Sequence, residues 1–209
     1  MAEIFSYCIP IDDGAAPNPF WGVCTLVICK PAIRRIAQVG DWVLGTGSRR
    51  SPIGDIATKV VYAMRVTERL TMQAYNSRTR QKLHEKIPDW DNADYRRRLG
   101  DSIYDFTVYP NVIRKSVHDE RNRERDLRGK YALLSTHFFY FGDKPIELPP
   151  DLHEIIKTGQ GHLRIRAPEI VDRFVGWIEG LKIAPTSLLG EPQCRDMEKR
   201  CFLDAEEDE

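Results

Sequence analysis

The chain has 209 residues, enough for one domain with a sizeable core, and its Lys+Arg and Asp+Glu totals are both 31, a formal net charge of zero. A balanced charge weighs against a protein that coats a long duplex, because phosphate contacts call for a basic surface. No apolar run approaches the roughly 18 residues of a membrane-spanning helix, and the opening MAEIFSYCIP carries an acidic residue and no basic stretch, unlike a signal peptide.

Five cysteines, Cys8, Cys24, Cys29, Cys194 and Cys201, form no C-x-x-C pair and have no histidine at zinc-ligand spacing. The expectation is a cytoplasmic protein with neither metal nor cofactor. Cys8, Cys24 and Cys29 lie in apolar runs and read as small buried hydrophobes. A catalytic thiol would need a nearby base, which spacing alone does not supply.

Residues 4–11 alternate, with Phe5, Tyr7, Ile9 and Ile11 on one face, and predict a half-buried strand; Pro10 places it at an edge or bulge. The turn chemistry of 12–21 is followed by an apolar, β-branched run at 22–29, a second strand. Pro31 suits a first helical turn, so 30–37 reads as a short helix. A Gly-Asp turn then feeds a strand within 39–48, with Trp42 and Leu44 on one face. Residues 59–70 predict one central strand, apolar on both sides. Thr71 caps a helix over 72–86 with Met72, Tyr75, Thr79 and Leu83 on its apolar stripe. A short helix capped by Asp91 or Asn92 falls in 88–100, an alternating strand at 102–109 and an exposed basic loop at 114–130.

The aromatic run 131–142 predicts one long strand, which puts Ser135, His137, Phe139 and Phe141 on one face. Pro168 opens a helix over 168–182 whose stripe is Ile170, Val171, Phe174, Val175, Ile178 and Leu181. The domain is expected to span 1–183, with 184–209 a peripheral segment ending in the acidic tail DAEEDE. Strands and helices do not alternate regularly, so the fold class is α+β: a small mixed, curled sheet or barrel with flanking helices.

Phosphate-loop, dinucleotide, metalloprotease and nucleophile-elbow signatures are absent. The best candidate is a base-binding pocket between the Trp42 strand, the 17–21 loop and the 135–141 strand. There Phe20, Trp21, Trp42 and Phe139 would offer rings, and Asn18, Thr46, Ser48, Ser135 and His137 would offer hydrogen bonds. An enzyme is the alternative, a transferase or hydrolase with His137 as acid or base and Asp101 or Asp41 as its partner. A third reading is an interaction protein working through its tail and basic loop. Between residues 59 and 130 there are 17 basic and 11 acidic side chains, so the neutral total hides a basic middle. Arg96, Arg97, Arg98, Arg114 and Lys115 are its candidate phosphate contacts.

Ala16-Pro17-Asn18-Pro19-Phe20-Trp21-Gly22-Val23-Cys24-Thr25-Leu26, the Cys29-Lys30-Pro31 to Ile33-Arg34 segment, Gly40 to Ser48, Tyr62 to Thr67 and Leu134 to Gly142 together resemble the second family of nucleotide-modification-associated domains, over residues 4 to 182. The resemblance implies a role with modified nucleotides in DNA-modification systems of phages and bacteria, hence nucleic acid or a nucleotide as partner and no membrane. The strand-and-turn pattern also resembles the PUA-like domains with their EVE, YTH and ASCH relatives, which implies a curled barrel holding a base in an aromatic pocket.

Overall fold

The computed structural model describes residues 2–194; the acidic tail and Cys201 lie outside them. A seven-stranded mixed sheet runs in the order β11 (Leu163–Ile165), β1 (Ile4–Cys8), β3 (Trp42–Thr46), β4 (Lys59–Arg65), β9 (His137–Tyr140) and β12 (Ser187–Leu188), with β10 (Ile146–Glu147) also on β4. β1 lies parallel to β3 and β12 parallel to β9; the other pairs are antiparallel. A second, antiparallel sheet joins β2 (Cys24–Leu26), β8 (Tyr131–Ser135) and β5 (Glu68–Thr71), and β6 (Tyr104–Asp105) with β7 (Val112–Ile113) forms a separate hairpin. The α+β class is what the chain adopts. The larger sheet ends at β11 and β12 and does not close, so of the expected curled sheet or barrel the chain forms a mixed open sheet, with the second sheet packed on it.

The two long strands expected at 59–70 and 131–142 each break into two, and the halves belong to different sheets. Both breaks sit at one corner. Ser135 Oγ donates to the Arg65 carbonyl at 2.6 Å and accepts from the His137 N–H at 3.0 Å, while Thr67 Oγ1 accepts from the Thr136 N–H at 3.1 Å. These hydroxyls satisfy the backbone groups that a turning strand leaves unpaired.

Alternation then fills two layers. Phe5, Tyr7, Val43, Met64, Phe138 and Tyr140 meet Cys24, Leu26 and Leu133 between the sheets. Trp42, Leu44, Ala63, Phe139 and Phe141 point the other way, under helix α5 (Pro168–Gly180). That helix starts at Pro168 as expected and buries Val171, Phe174 and Ile178, with Ile170, Val175 and Leu181 at the margin. Helix α1 (Pro31–Ile36) closes one end of the inter-sheet layer through Ile33. Helix α2 (Met72–Lys82), capped by Thr71, covers the second sheet with Met72 and Tyr75; a 3-10 turn at His84–Lys86 follows it. Helix α3 (Tyr95–Arg98) is capped by Asp94 rather than by Asp91 or Asn92.

Only Tyr104 and Asp105 of the expected 102–109 strand pair, because the Asp105 carboxylate takes the Thr107 N–H at 2.9 Å and turns the chain. The 114–130 stretch is not a plain exposed loop. It contains a 3-10 turn and helix α4 (Arg123–Leu127), and it buries His118 and Asp126. Residues 184–194 pack onto the body: Ser187 pairs with Phe139, and the Cys194 N–H donates to the Asp12 carbonyl at 2.9 Å.

The Gly45-to-Ser48 segment, expected to present Thr46 and Ser48 to a base, is closed by packing. Thr46 is buried, and a Cβ on Gly47 would meet the Ile56 side chain at 2.4 Å. A Cβ on Gly45 would lie 2.4 Å from Ile9 Cδ1 and 2.5 Å from the Tyr62 ring, beside a register shift in the sheet. Gly45→Ala is expected to cost about 1–3 kcal/mol through overpacking, seen as a lower urea midpoint at unchanged slope.

Candidate active site

Cys29 sits in the short connection between β2 and α1. Both it and Lys30 have positive φ, 57° and 37°. Side chains carrying a Cβ resist that region by about 1–2 kcal/mol each, so the surroundings must impose it. Two groups do so. The Asp126 carboxylate accepts the Cys29 N–H at 2.8 Å, and Arg34 Nε donates to the Cys29 carbonyl at 2.8 Å.

Arg34 is fully buried. Its other nitrogens donate to the Tyr131 carbonyl at 3.1 Å and to the Asp126 carbonyl. A Cβ at position 129 would strike its Cζ at 2.4 Å, so Gly129 makes room for the guanidinium. Burial pulls Arg34 down to about 10, offset in part by the charge of Asp126, and it stays cationic at neutral pH.

Three side chains then line up. His118 Nδ1 donates to Asp126 Oδ2 at 2.5 Å, and His118 Nε2 stands 3.5 Å from Cys29 Sγ. Tyr104 OH donates to the same Asp126 oxygen at 3.0 Å. His118 and Asp126 are buried, whereas Cys29 is half-buried and meets solvent. Burial works against the charged imidazole, but the hydrogen bonds to Asp126 and Cys29 and their charges outweigh it, so His118 is raised to about 9. Burial would likewise raise Asp126; the hydrogen bond and charge of His118, the Cys29 N–H and Arg34 hold it below the usual carboxylate range. The result is a carboxylate–imidazole–thiol relay on a backbone fixed from two sides.

Donor atoms of the same three residues lie within 4.8 Å of one another, close enough to be considered for a metal. The ring orientation points elsewhere. Asp126 occupies Nδ1, so an ion between Nε2 and Sγ would have only two protein ligands among the described residues, short of the three or four that protein metal sites use. Proton transfer suits this geometry better than metal binding.

The residues singled out from sequence lie in other places. Asn18 is buried: its amide donates to the Leu99 carbonyl at 2.8 Å and its Oδ1 accepts from Lys86 Nζ at 2.6 Å. Lys86, also fully buried, donates further to Val23 and Thr25, and Thr25 and Tyr75 both donate to Asp101, at 2.5 and 2.6 Å. Burial lowers Lys86 to about 8 and raises Asp101. This network ties the Pro17–Thr25 turn to residues 86–101 and has no opening to solvent.

Phe20, Trp42 and Phe139 are core residues, each at most 2% exposed, and Ser135 is the corner hydroxyl. Trp42 packs edge-on against Phe174 of α5 at 5.5 Å. Trp21 is partly exposed, and Ser48 caps its own turn through the Arg50 N–H. Trp42, His137 and Phe139 do come together, ring centroids 5.6 and 5.8 Å apart, as packing of the layer under α5, whereas Phe20 belongs to the core layer of the second sheet. Two surface clefts, along α2 from Leu70 to Gln81 and beside Asp41, Arg65 and Arg164, contain none of the residues singled out from sequence except Asp41.

His137 bonds Glu179 of α5 at 2.6 Å, not Asp101 or Asp41. Asp41 instead accepts the Glu3 and Gln38 N–H groups, at 2.9 and 2.8 Å. The candidate phosphate contacts have protein partners: Arg96 pairs with Glu191, Arg97 and Arg98 bond the His84 and Asn92 carbonyls, Arg114 bonds Asp105 and the Ser102 carbonyl, and Lys115 faces Asp91.

Cys29 and His118 are 89 positions apart, and no spacing rule connects them. One local signal was available. Cys29 and Arg34 both lie in a segment on which the family resemblance rests, and neither the helix nor the strands need a thiol there.

A family model described as nucleotide modification associated domain 2 matches residues 1–199. No curated protein and no solved structure matches the chain. On a match spanning nearly all of its 209 residues, the chain belongs to the nucleotide modification associated domain 2 family.

Proposed function

We propose that the chain is a thiol-dependent enzyme of nucleotide modification, with Cys29 as nucleophile, His118 as proton carrier and Asp126 as the group that orients His118. The observation that carries this reading is the continuous relay from Asp126 through His118 to a half-buried Cys29. Its chemistry fits acyl transfer or hydrolysis at a substituent of a base or nucleotide. A Cys29 thiolate beside a His118 imidazolium adds to the acyl carbon, and the carbonyl electron pair moves onto oxygen. When the carbonyl reforms, the bond to the leaving nitrogen or oxygen breaks and His118 gives that atom its proton. A water or an amine then attacks the thioester, loses its proton to His118, and releases the thiolate. No oxidant or reductant enters the balance.

A role limited to reading a base in an aromatic pocket has less support, because Phe20, Trp42 and Phe139 are covered by the protein's own core. The test is limited alkylation of the intact protein with iodoacetamide at pH 7, followed by peptide mapping. Cys29 is expected to be labelled ahead of Cys8, Cys24 and Cys194. Labelling of Cys29 no faster than free cysteine would reject the nucleophile and return the base-binding role to the front.

A further inference from the structure

The β6–β7 hairpin stands apart from both sheets and carries the most exposed aromatic ring of the described residues. Tyr109 at its tip is 101% exposed, flanked by Val108 at 49% and Val112 at 54%. Nothing in the fold uses these side chains, and a contiguous apolar tip is costly to leave in water without a purpose. The base of the hairpin is firmly held. Arg123 of α4 clasps Asn111 through its carbonyl and its Oδ1 at 3.0 and 2.9 Å, and Arg114 pairs with Asp105 at 3.0 Å. The tip is therefore displayed on a fixed mount.

That mount belongs to the candidate active site. Tyr104, the first residue of the hairpin, donates to Asp126, and α4 supplies Asp126 itself. The surface next to it carries three cations, with Glu124 the exposed acid among them. Arg125, Arg128 and Lys130 are exposed with no ion-pair partner among the described residues, whereas neighbouring Asp119 and Glu120 are paired with Arg121 and Arg123. A protruding ring beside unpaired cations matches an unstacked base followed by phosphates. A protein partner would more naturally meet a flat apolar face.

We propose that the Tyr104–Ile113 hairpin seats a nucleic-acid strand, with Tyr109 stacking on an unpaired base, so that the substrate of this site is a polymer strand and not a free nucleotide. This rests on the thiol reading for what happens after binding, but the binding itself is measured without turnover. The experiment is a fluorescence-anisotropy titration of the full chain with a labelled single-stranded oligonucleotide at low and moderate salt, with thymidine monophosphate as competitor and sedimentation run in parallel.

Tyr109→Ala is expected to weaken strand binding about tenfold or more while leaving its salt dependence unchanged, since the cations remain. The titration reads binding alone and stands whether or not Cys29 is alkylated ahead of the other cysteines, which separates this result from the alkylation result. Equal binding by Tyr109→Ala, no binding by the parent, or competition by the mononucleotide as effective as by unlabelled strand would overturn the proposal. So would a parent dimer that Tyr109→Ala dissociates, because the tip would then be a contact between copies. Because Tyr109 is wholly exposed, the variant should melt at the parent's temperature, which keeps loss of folding out of the comparison.

Discussion

His118→Ala is expected to slow alkylation of Cys29 at pH 7 by about tenfold or more, and the difference is expected to vanish above about pH 10. The reason lies in which form of His118 faces the sulfur. The ring is raised to about 9, so at neutral pH it is an imidazolium whose Nε2–H points at Sγ from 3.5 Å. Placed there, the ring N–H gives the sulfur a hydrogen-bonding and charge partner that alanine removes. Once the pH passes about 9 the ring is neutral and that assistance ends.

The same shift makes a stability statement. Below the ordinary value of 6.5 the proton is bound in both folded and unfolded chains, and the full stabilisation is present. It is lost as the pH rises from there through about 9. The shift corresponds to at most about 3 kcal/mol. Urea midpoints measured at pH 6 and pH 10 should fall steeply for the parent and much less for His118→Ala. A parent whose alkylation rate and urea midpoint match those of His118→Ala at pH 7 would show that the relay is not formed in solution.

Much of the frame was legible because its signals are local. Phe5 and Tyr7 against Ile4, Trp42 and Leu44 against Val43, and the stripe of α5 all follow from a period of two or 3.6 within one segment, although β1, expected half-buried and at an edge or bulge, is buried on both faces between β11 and β3. The corner at Ser135 and Thr67 was not legible, since the residues on either side keep strand-like alternation through the break. Only the pairing of side-chain hydroxyls with distant carbonyls reveals where the strand leaves one sheet for the other.

The site was hidden for a related reason. The 114–130 stretch mixes charges as a solvated loop does, and that mixture masked a buried His118 and Asp126. Asn18 reads as a base contact and Asp101 as a partner of His137, yet Asn18 is bonded by a buried lysine 68 positions away and Asp101 by Thr25 and Tyr75. A polar side chain in a proline-rich turn reads the same whether it faces a ligand or another part of the chain. Cys29 looked like a small core residue until the fold brought a base to it.

Arg34→Met is expected to be the most destabilising single change near the site, by about 3–5 kcal/mol in urea denaturation. The guanidinium supplies donors to the carbonyls of Cys29, Tyr131 and Asp126, from three separate segments, inside a space that Gly129 leaves open for it. Methionine has similar length but no donors, so three carbonyls lose a partner and Asp126 loses a nearby cation. Arg34→Lys should recover little, because one ammonium cannot reach three acceptors in the plane that the guanidinium spans.

The change should also reach the chemistry. Cys29 keeps its positive φ only while its carbonyl and its N–H are held from opposite sides, by Arg34 and Asp126. In whatever fraction of Arg34→Met remains folded, alkylation of Cys29 should lose its preference over the other cysteines. The pH dependence should resemble that of His118→Ala. Low stability with the parent's alkylation profile would mean that Arg34 serves the fold alone, and that the thiol is positioned by His118 and Asp126 without it.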